Sequence, residues 1–134
     1  MPNDKSLPVL EKVITQEGID SYARASGDRN PLHLDPQFAA GTQFGGIIAH
    51  GMLTLAFVYE MLTQAFEQPW LERGNLKVRF EAPAYPGDKV HTWGEIVKEQ
   101  QTAQGRYLEC AVALRKDDDK TLIRGTATVT LPNS

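Results

Sequence analysis

The sequence is short of several things. Its single cysteine, Cys110, allows no internal disulfide, which fits a reducing compartment. There is no excess of positive charge. Fourteen Lys and Arg against 17 Asp and Glu give a formal net charge of −3 with His neutral, which argues against a nucleic-acid binder and the basic face it would carry. There is no long apolar run either. The longest, Met52 to Leu62, is broken by Thr54 and Glu60 and falls well short of the roughly 20 apolar residues that span a bilayer. The first six residues, Met1 to Ser6, lack the apolar core of a signal peptide. No repeat, low-complexity stretch or internal linker is present. The expectation is a cytoplasmic protein with no membrane or nucleic-acid partner. At 134 residues, 41% of them apolar, the chain is expected to form one domain over 1–134, too short for two ordinary ones.

What is present reads as an ordered series of elements. Residues 1–7 look like a loose tail, and Val9 to Ile14 suits a short strand. Thr15 is a good N-cap, with Glu17 in the first turn after it. Ile19, Tyr22, Ala23 and Ser26 then share one helical face, and Gly27 is placed to end that helix. A polar loop, 28–34, follows, in which Pro31 holds Asn30 out of the helical region. Asp35-Pro36 restarts a helix, which Gly41 ends. Gly45 and Gly46 break the chain again before a long helix expected from about His50 to Phe66. Its first turns are apolar nearly all round, as in a buried helix.

Beyond Pro69 the period becomes two. Leu76, Val78, Phe80 and Ala82 face one way, and Lys77, Arg79 and Glu81 the other. A turn-rich loop at 82–88 leads to a strand over about 89–99, with a bulge expected at Gly94. A hairpin loop is expected at 100–105. Leu108, Cys110, Val112 and Leu114 form one face of the next strand. After a charged turn at 116–120, Ile123, Gly125, Ala127, Val129 and Leu131 line the last. The plan is α+β: a first strand, a helical section, then four hairpin-linked strands in a mostly antiparallel sheet packed on one long helix.

The chemistry-bearing residues gather between Tyr22 and Leu62. Asp28 and His33 put an acid and a base five residues apart on one constrained loop. A neutral His can accept a proton near physiological pH, and a nearby carboxylate can orient it or share a water. The other reading is that Asp28 and Asn30 are turn residues and His33 is a surface histidine. A metal set of Asp28, His33, Asp35 and His50 matches no familiar zinc or non-haem iron spacing. Gly51 opens the long helix, whose first N–H groups lack internal partners and favour developing negative charge. Alternatively, Gly45, Gly46 and Gly51 merely allow close packing. His50 reads as a capping or supporting group. Glu60 is either a thioesterase base or nucleophile, or a paired or partly solvated side chain. Cys110 reads as a small hydrophobe, His91 draws no role, and Trp70 and Trp93 read as packing residues.

Residues 22–35, with Ser-Gly-Asp-Arg-Asn-Pro-Leu-His at their centre, resemble the hydratase-2 motif of MaoC-like (R)-specific enoyl-CoA hydratases. Ile-Ile-Ala-His-Gly-Met-Leu at 47–53 resembles the start of that family's central helix. Arg79-Phe80 and Tyr85-Pro86-Gly87-Asp88 are similar to its next strand and loop. The resemblance covers nearly the whole chain.

It implies a hot-dog fold, an antiparallel sheet wrapped around one long central helix, in a homodimer whose sheets join edge to edge. It implies an enzyme, a hydro-lyase, that adds water reversibly and syn to trans-2-enoyl-CoA to give (R)-3-hydroxyacyl-CoA. Its substrate partner would be an acyl-CoA or acyl-carrier-protein thioester. The family's catalytic pair falls on Asp28 and His33, and its thioester-binding N–H on Gly51; Asn30 and Pro31 shape the loop. No cofactor and no metal are implied. Where some members carry a small hydroxyl residue on the central helix, this chain has Tyr59, which is expected to line and shorten the acyl pocket. Two other functions stand beside this one, a hot-dog acyl-CoA thioesterase using Glu60 and a non-catalytic acyl-binding subunit.

Overall fold

A computed structural model describes residues 5–133. In chain order the elements are β1 (Glu11–Val13), α1 (Gln16–Ser26), α2 (Pro31–Leu34), α3 (Pro36–Ala40), α4 (Gly51–Phe66), α5 (Gln68–Arg73), β2 (Asn75–Phe80), β3 (Lys89–Thr102), β4 (Gly105–Lys116) and β5 (Thr121–Leu131). Five antiparallel strands form one sheet in the order β1-β3-β4-β5-β2. The sheet curls around α4, which is the hot-dog arrangement implied by the resemblance.

Local chemistry sets the helix ends. Thr15 caps α1 by accepting the Gly18 N–H at 2.9 Å, and Gly27 closes it at φ 80°, a left-handed value that glycine takes without strain. Asp35 caps α3 through the Gln37 and Phe38 N–H groups. Helix α4 buries Leu55, Val58, Met61, Leu62 and Phe66 against Leu108, Cys110, Val112 and Leu114 of β4 and Ala127 and Val129 of β5. Truncating a side chain as enclosed as Leu62 to Ala costs about 2–5 kcal/mol. Among the described residues no helix is long and apolar enough to cross a membrane.

Four expectations need correction. The last four strands are not successive hairpins. β2 pairs with β5 at one edge, while β3 lies on the far side of β4. The connection at 81–88 instead passes across the start of α4, where the Ala84 carbonyl accepts the Ala49 N–H at 2.8 Å. The bulge in β3 lies between Ile96 and Lys98, not at Gly94. Gly94 makes room for Leu7, since a Cβ there would come within 2.7 Å of Leu7 Cδ1. Leu7 is accordingly buried, and its N–H bonds the Gly94 carbonyl, so residues 5–7 continue along the sheet edge instead of trailing as a tail. The expected tail's residues 1–4 lie outside the described residues. Finally, β3 runs on to Thr102, and its turn with β4 is short, pinned by Thr102 Oγ1 donating to the Gly105 carbonyl.

Candidate active site

The loop after α1 is built by its own side chains. The Asp28 N–H donates to Ser26 Oγ, and Asp28 Oδ1 accepts the Asn30 N–H at 3.3 Å. Asn30 stays extended at ψ 130°, as a residue before proline must, and its Oδ1 accepts the Leu32 N–H. With Pro31 at its first position, a four-residue helix forms where the sequence suggested only loop. That helix turns His33 inward. Its side chain is not on the surface: the residue is 8% exposed, while Asp28 at the loop tip is exposed.

His33 is held on two sides. Gln16 of α1 donates from Nε2 to the His33 carbonyl at 3.0 Å. His33 Nδ1 lies 2.7 Å from the Ile48 carbonyl. A carbonyl only accepts, so Nδ1 carries the proton and Nε2 keeps its lone pair. In the neutral ring this leaves Nε2 as the nitrogen able to accept a proton.

His50 completes the group. It precedes α4 without capping it through its side chain. Its Nε2 instead donates to the Asp28 carbonyl at 2.9 Å. Its ring stacks on His33, centroids 3.9 Å apart and planes 26° apart, with Tyr22 tilted against it at 4.8 Å. Its Nδ1 is buried without a hydrogen-bond partner. One donor atom from each of Asp28, His33 and His50 lies within 4.8 Å of the others. Of these three, the His50 Nε2 is already occupied by the Asp28 carbonyl and the His33 Nδ1 by the Ile48 carbonyl. Asp35, the fourth member of the spacing-based metal set, is occupied as the α3 cap.

Gly51 opens α4 beside this pair. The first main-chain bonds into the helix are the Leu53 and Thr54 N–H groups to the His50 carbonyl, which leaves the Gly51 N–H without a backbone acceptor among the described residues. A pocket of about 340 Å³ adjoins it, lined by Phe44, Ile48, Gly51, Thr54, Phe80 and the loop from Glu81. Phe80, expected on the inner face of its strand, is 53% exposed, and its ring would lie 3.2 Å from a Cβ at position 51.

The remaining candidates sit elsewhere. The structure does not bring Tyr59 to this pocket; its ring is 43% exposed and tilts against Trp70 at 6.0 Å. Leu55, one turn nearer Gly51, is in the core. Glu60 pairs with Lys12 at 3.1 Å. Cys110 is fully buried, and burial, with Glu109 adding to it, pushes its thiol up to about 11. Sequence reasoning missed Gln16, Tyr22 and the stacking role of His50. Only the placement of Tyr22 on the apolar face of α1 hinted at an inward contact.

The family model of the MaoC like domain matches residues 1–116. The chain belongs to the MaoC-like family. Similar relatives include 3-hydroxybutyryl-CoA dehydratase of Methylorubrum extorquens, 31% identical over 124 residues, covering 92% of this chain and 77% of that one. The (R)-specific enoyl-CoA hydratase of Rhodospirillum rubrum is 34% identical over 126 residues, covering 92% and 83%. Among solved structures, the (R)-hydratase from A. caviae involved in PHA biosynthesis superposes with a TM-score of 0.81 at 27% identity, covering 98% of each chain. These MaoC-like relatives are hydratases and dehydratases, and the chain is a hydro-lyase. The MaoC-like fold here places Asp28 and His33 on one loop and leaves the Gly51 N–H without a backbone acceptor among the described residues.

Proposed function

We propose that this chain is an (R)-specific enoyl-CoA hydratase, equally a 3-hydroxyacyl-CoA dehydratase, acting on trans-2-enoyl-CoA. The observation that carries this reading is the His33 tautomer. Its proton is committed to the Ile48 carbonyl, and its free nitrogen belongs to a buried ring beside the Asp28 carboxylate. In the hydration direction, Asp28 and His33 hold a water against the β-carbon. His33 Nε2 takes one proton as the water oxygen bonds that carbon. The electron pair moves onto the thioester oxygen, where the Gly51 N–H and the α4 dipole stabilise the enolate. The Asp28–His33 pair then returns a proton to the α-carbon on the same face, which makes the addition syn. Asn30 serves by fixing the loop. Of the earlier candidates, Tyr59 is left without an acyl-binding role in this scheme.

We also propose a symmetric homodimer, because β2 is an edge strand and leaves Phe80 beside the pocket half-uncovered. Light scattering at micromolar concentration tests it, and a fully active monomer would contradict it. The decisive assay for the reaction is crotonyl-CoA with the native protein, following loss of the enoyl absorbance, with a parallel free-thiol measurement. Loss of absorbance without thiol release is the expected result. Thiol release would instead indicate thioester hydrolysis, and neither change would indicate an inert acyl-binding subunit.

A further inference from the structure

Gly51 sits where a side chain would crowd its neighbour. A Cβ there would come within 3.2 Å of the Phe80 ring, an approach that favours glycine. Glycine also has the widest φ/ψ freedom of any residue. The direction of the Gly51 N–H must therefore be fixed by groups outside Gly51 itself.

Two planar peptide units meet at this residue. In the first, the His50 carbonyl and the Gly51 N–H point opposite ways. The Leu53 N–H reaches that carbonyl at 3.1 Å and the Thr54 N–H at 3.3 Å. Drawing the carbonyl into the helix turns the N–H out of it. The second unit carries the Gly51 carbonyl, which accepts a hydrogen bond from Thr54 Oγ1 at 2.8 Å. Thr54 thus holds the unit on each side of Gly51, once through its main chain and once through its hydroxyl. It is a buried polar residue, 5% exposed, and it lines the same pocket as Gly51.

Helical threonines often bond a carbonyl three or four residues back. Thr63 does so near the far end of α4, donating to the Tyr59 carbonyl at 2.8 Å. That bond joins two residues away from the site, whereas the Thr54 bond closes on the glycine at the first position of the helix. Thr63 is thus a control for the same local chemistry without the same location.

We infer that Thr54 is a positioning residue, which aims the Gly51 N–H at the thioester oxygen without itself touching the reacting atoms. This rests on the hydratase reading and deepens it. Charge develops on that oxygen only as the electron pair moves. A misdirected N–H therefore slows turnover more than it weakens binding of the unreacted thioester.

The test compares the native protein with Thr54→Val, which keeps the shape and loses the hydroxyl, Thr54→Ser, which keeps the hydroxyl, and Thr63→Val. In Thr54→Val, kcat on crotonyl-CoA is expected to fall about five- to tenfold, the size of one net hydrogen bond, with KM little changed. Thr54→Ala, which loses the hydroxyl in a good helix former, should match it. Thr54→Ser should restore most of the loss, and Thr63→Val should lose nothing. A second readout is the enolate absorbance of bound acetoacetyl-CoA, which needs the N–H but no addition of water. It should weaken in Thr54→Val and return in Thr54→Ser. Native kcat in Thr54→Val and Thr54→Ala would overturn the inference. So would a raised KM at unchanged kcat, which would make Thr54 a lining residue only, or an equal loss in Thr63→Val, which would make the effect one of helix stability. Hydration of crotonyl-CoA by a native protein that shows no bound enolate would overturn the inference alone. A bound enolate that depends on the Thr54 hydroxyl, without any hydration of crotonyl-CoA, would sink the hydratase reading and uphold the role of Thr54.

Discussion

His50 stacks on His33 at 3.9 Å while its own N–H holds the Asp28 carbonyl at 2.9 Å, so one buried side chain braces both partners of the proposed acid–base pair. The two functions of that ring can be separated. His50→Phe keeps a flat ring but loses the donor. One net hydrogen bond is worth about 1 kcal/mol, so kcat on crotonyl-CoA is expected to fall about five- to tenfold with KM little changed. His50→Ala loses both and should fall further, with a lower melting temperature. Steady-state kinetics with thermal melts on both variants checks this, and equal turnover in all three proteins would remove His50 from the site.

The pair itself should be far more sensitive. Asp28→Asn and His33→Ala are each expected to lower turnover by about two to four orders of magnitude, the range for a lost acid–base group. Binding of crotonyl-CoA, measured calorimetrically, should survive. Near-native turnover in either variant would refute the assignment.

Gly51 gives a steric prediction. Gly51→Ala keeps the N–H but puts a methyl 3.2 Å from the Phe80 ring. Turnover is expected to drop, and Phe80→Leu in the same chain to restore part of it. The coupling between the two changes in a double-mutant cycle is the readout. The same Phe80→Leu change alone is expected to widen the preference toward six- to eight-carbon enoyl-CoA. Tyr59→Ser should leave chain-length preference unaltered, because its ring rests on Trp70.

Cys110 predicts an alkaline effect on stability. Its thiol is raised from 9.0 to about 11 in the folded chain, chiefly by burial. The unfolded chain therefore loses this proton first as pH rises. The stability linked to the neutral thiol is complete below pH 9 and is lost progressively toward pH 11. Melting temperatures across that window should fall less steeply in Cys110→Ala. The native thiol should also resist alkylation at neutral pH until the chain is unfolded.

Much of this was legible where the controlling physics is local. Thr15, Gly27 and Asp35 act on residues two to four positions away, and each cap formed as its residue type suggests. The buried face of β4 followed from alternation alone. Strand order did not, since β2 chooses β5 over β3 through contacts far apart in sequence. Nor did the seat of Leu7 over Gly94, where a missing side chain signals space and a bulge equally well. In the site, Asp28, His33 and Gly51 stood out by residue type and motif. Helical spacing grouped Tyr59 with Gly51, but it says which residues share a face, and not what that face meets; here the Tyr59 ring tilts against Trp70.

The segment that carries Asp28, His33 and His50 makes few connections to the sheet itself. It is tied to the chain after β2 by the Ala49 N–H on the Ala84 carbonyl and by the Tyr85 hydroxyl on the Phe44 carbonyl, both at 2.8 Å. Partial opening of such a segment needs far less free energy than opening the strands around α4. Catalytic competence and the folded sheet consequently have separate lifetimes. On gentle warming the acid–base alignment should dissolve first, with amide hydrogens of the 28–50 segment exchanging early while those of β4 remain protected, so that the enzyme falls silent before it unfolds.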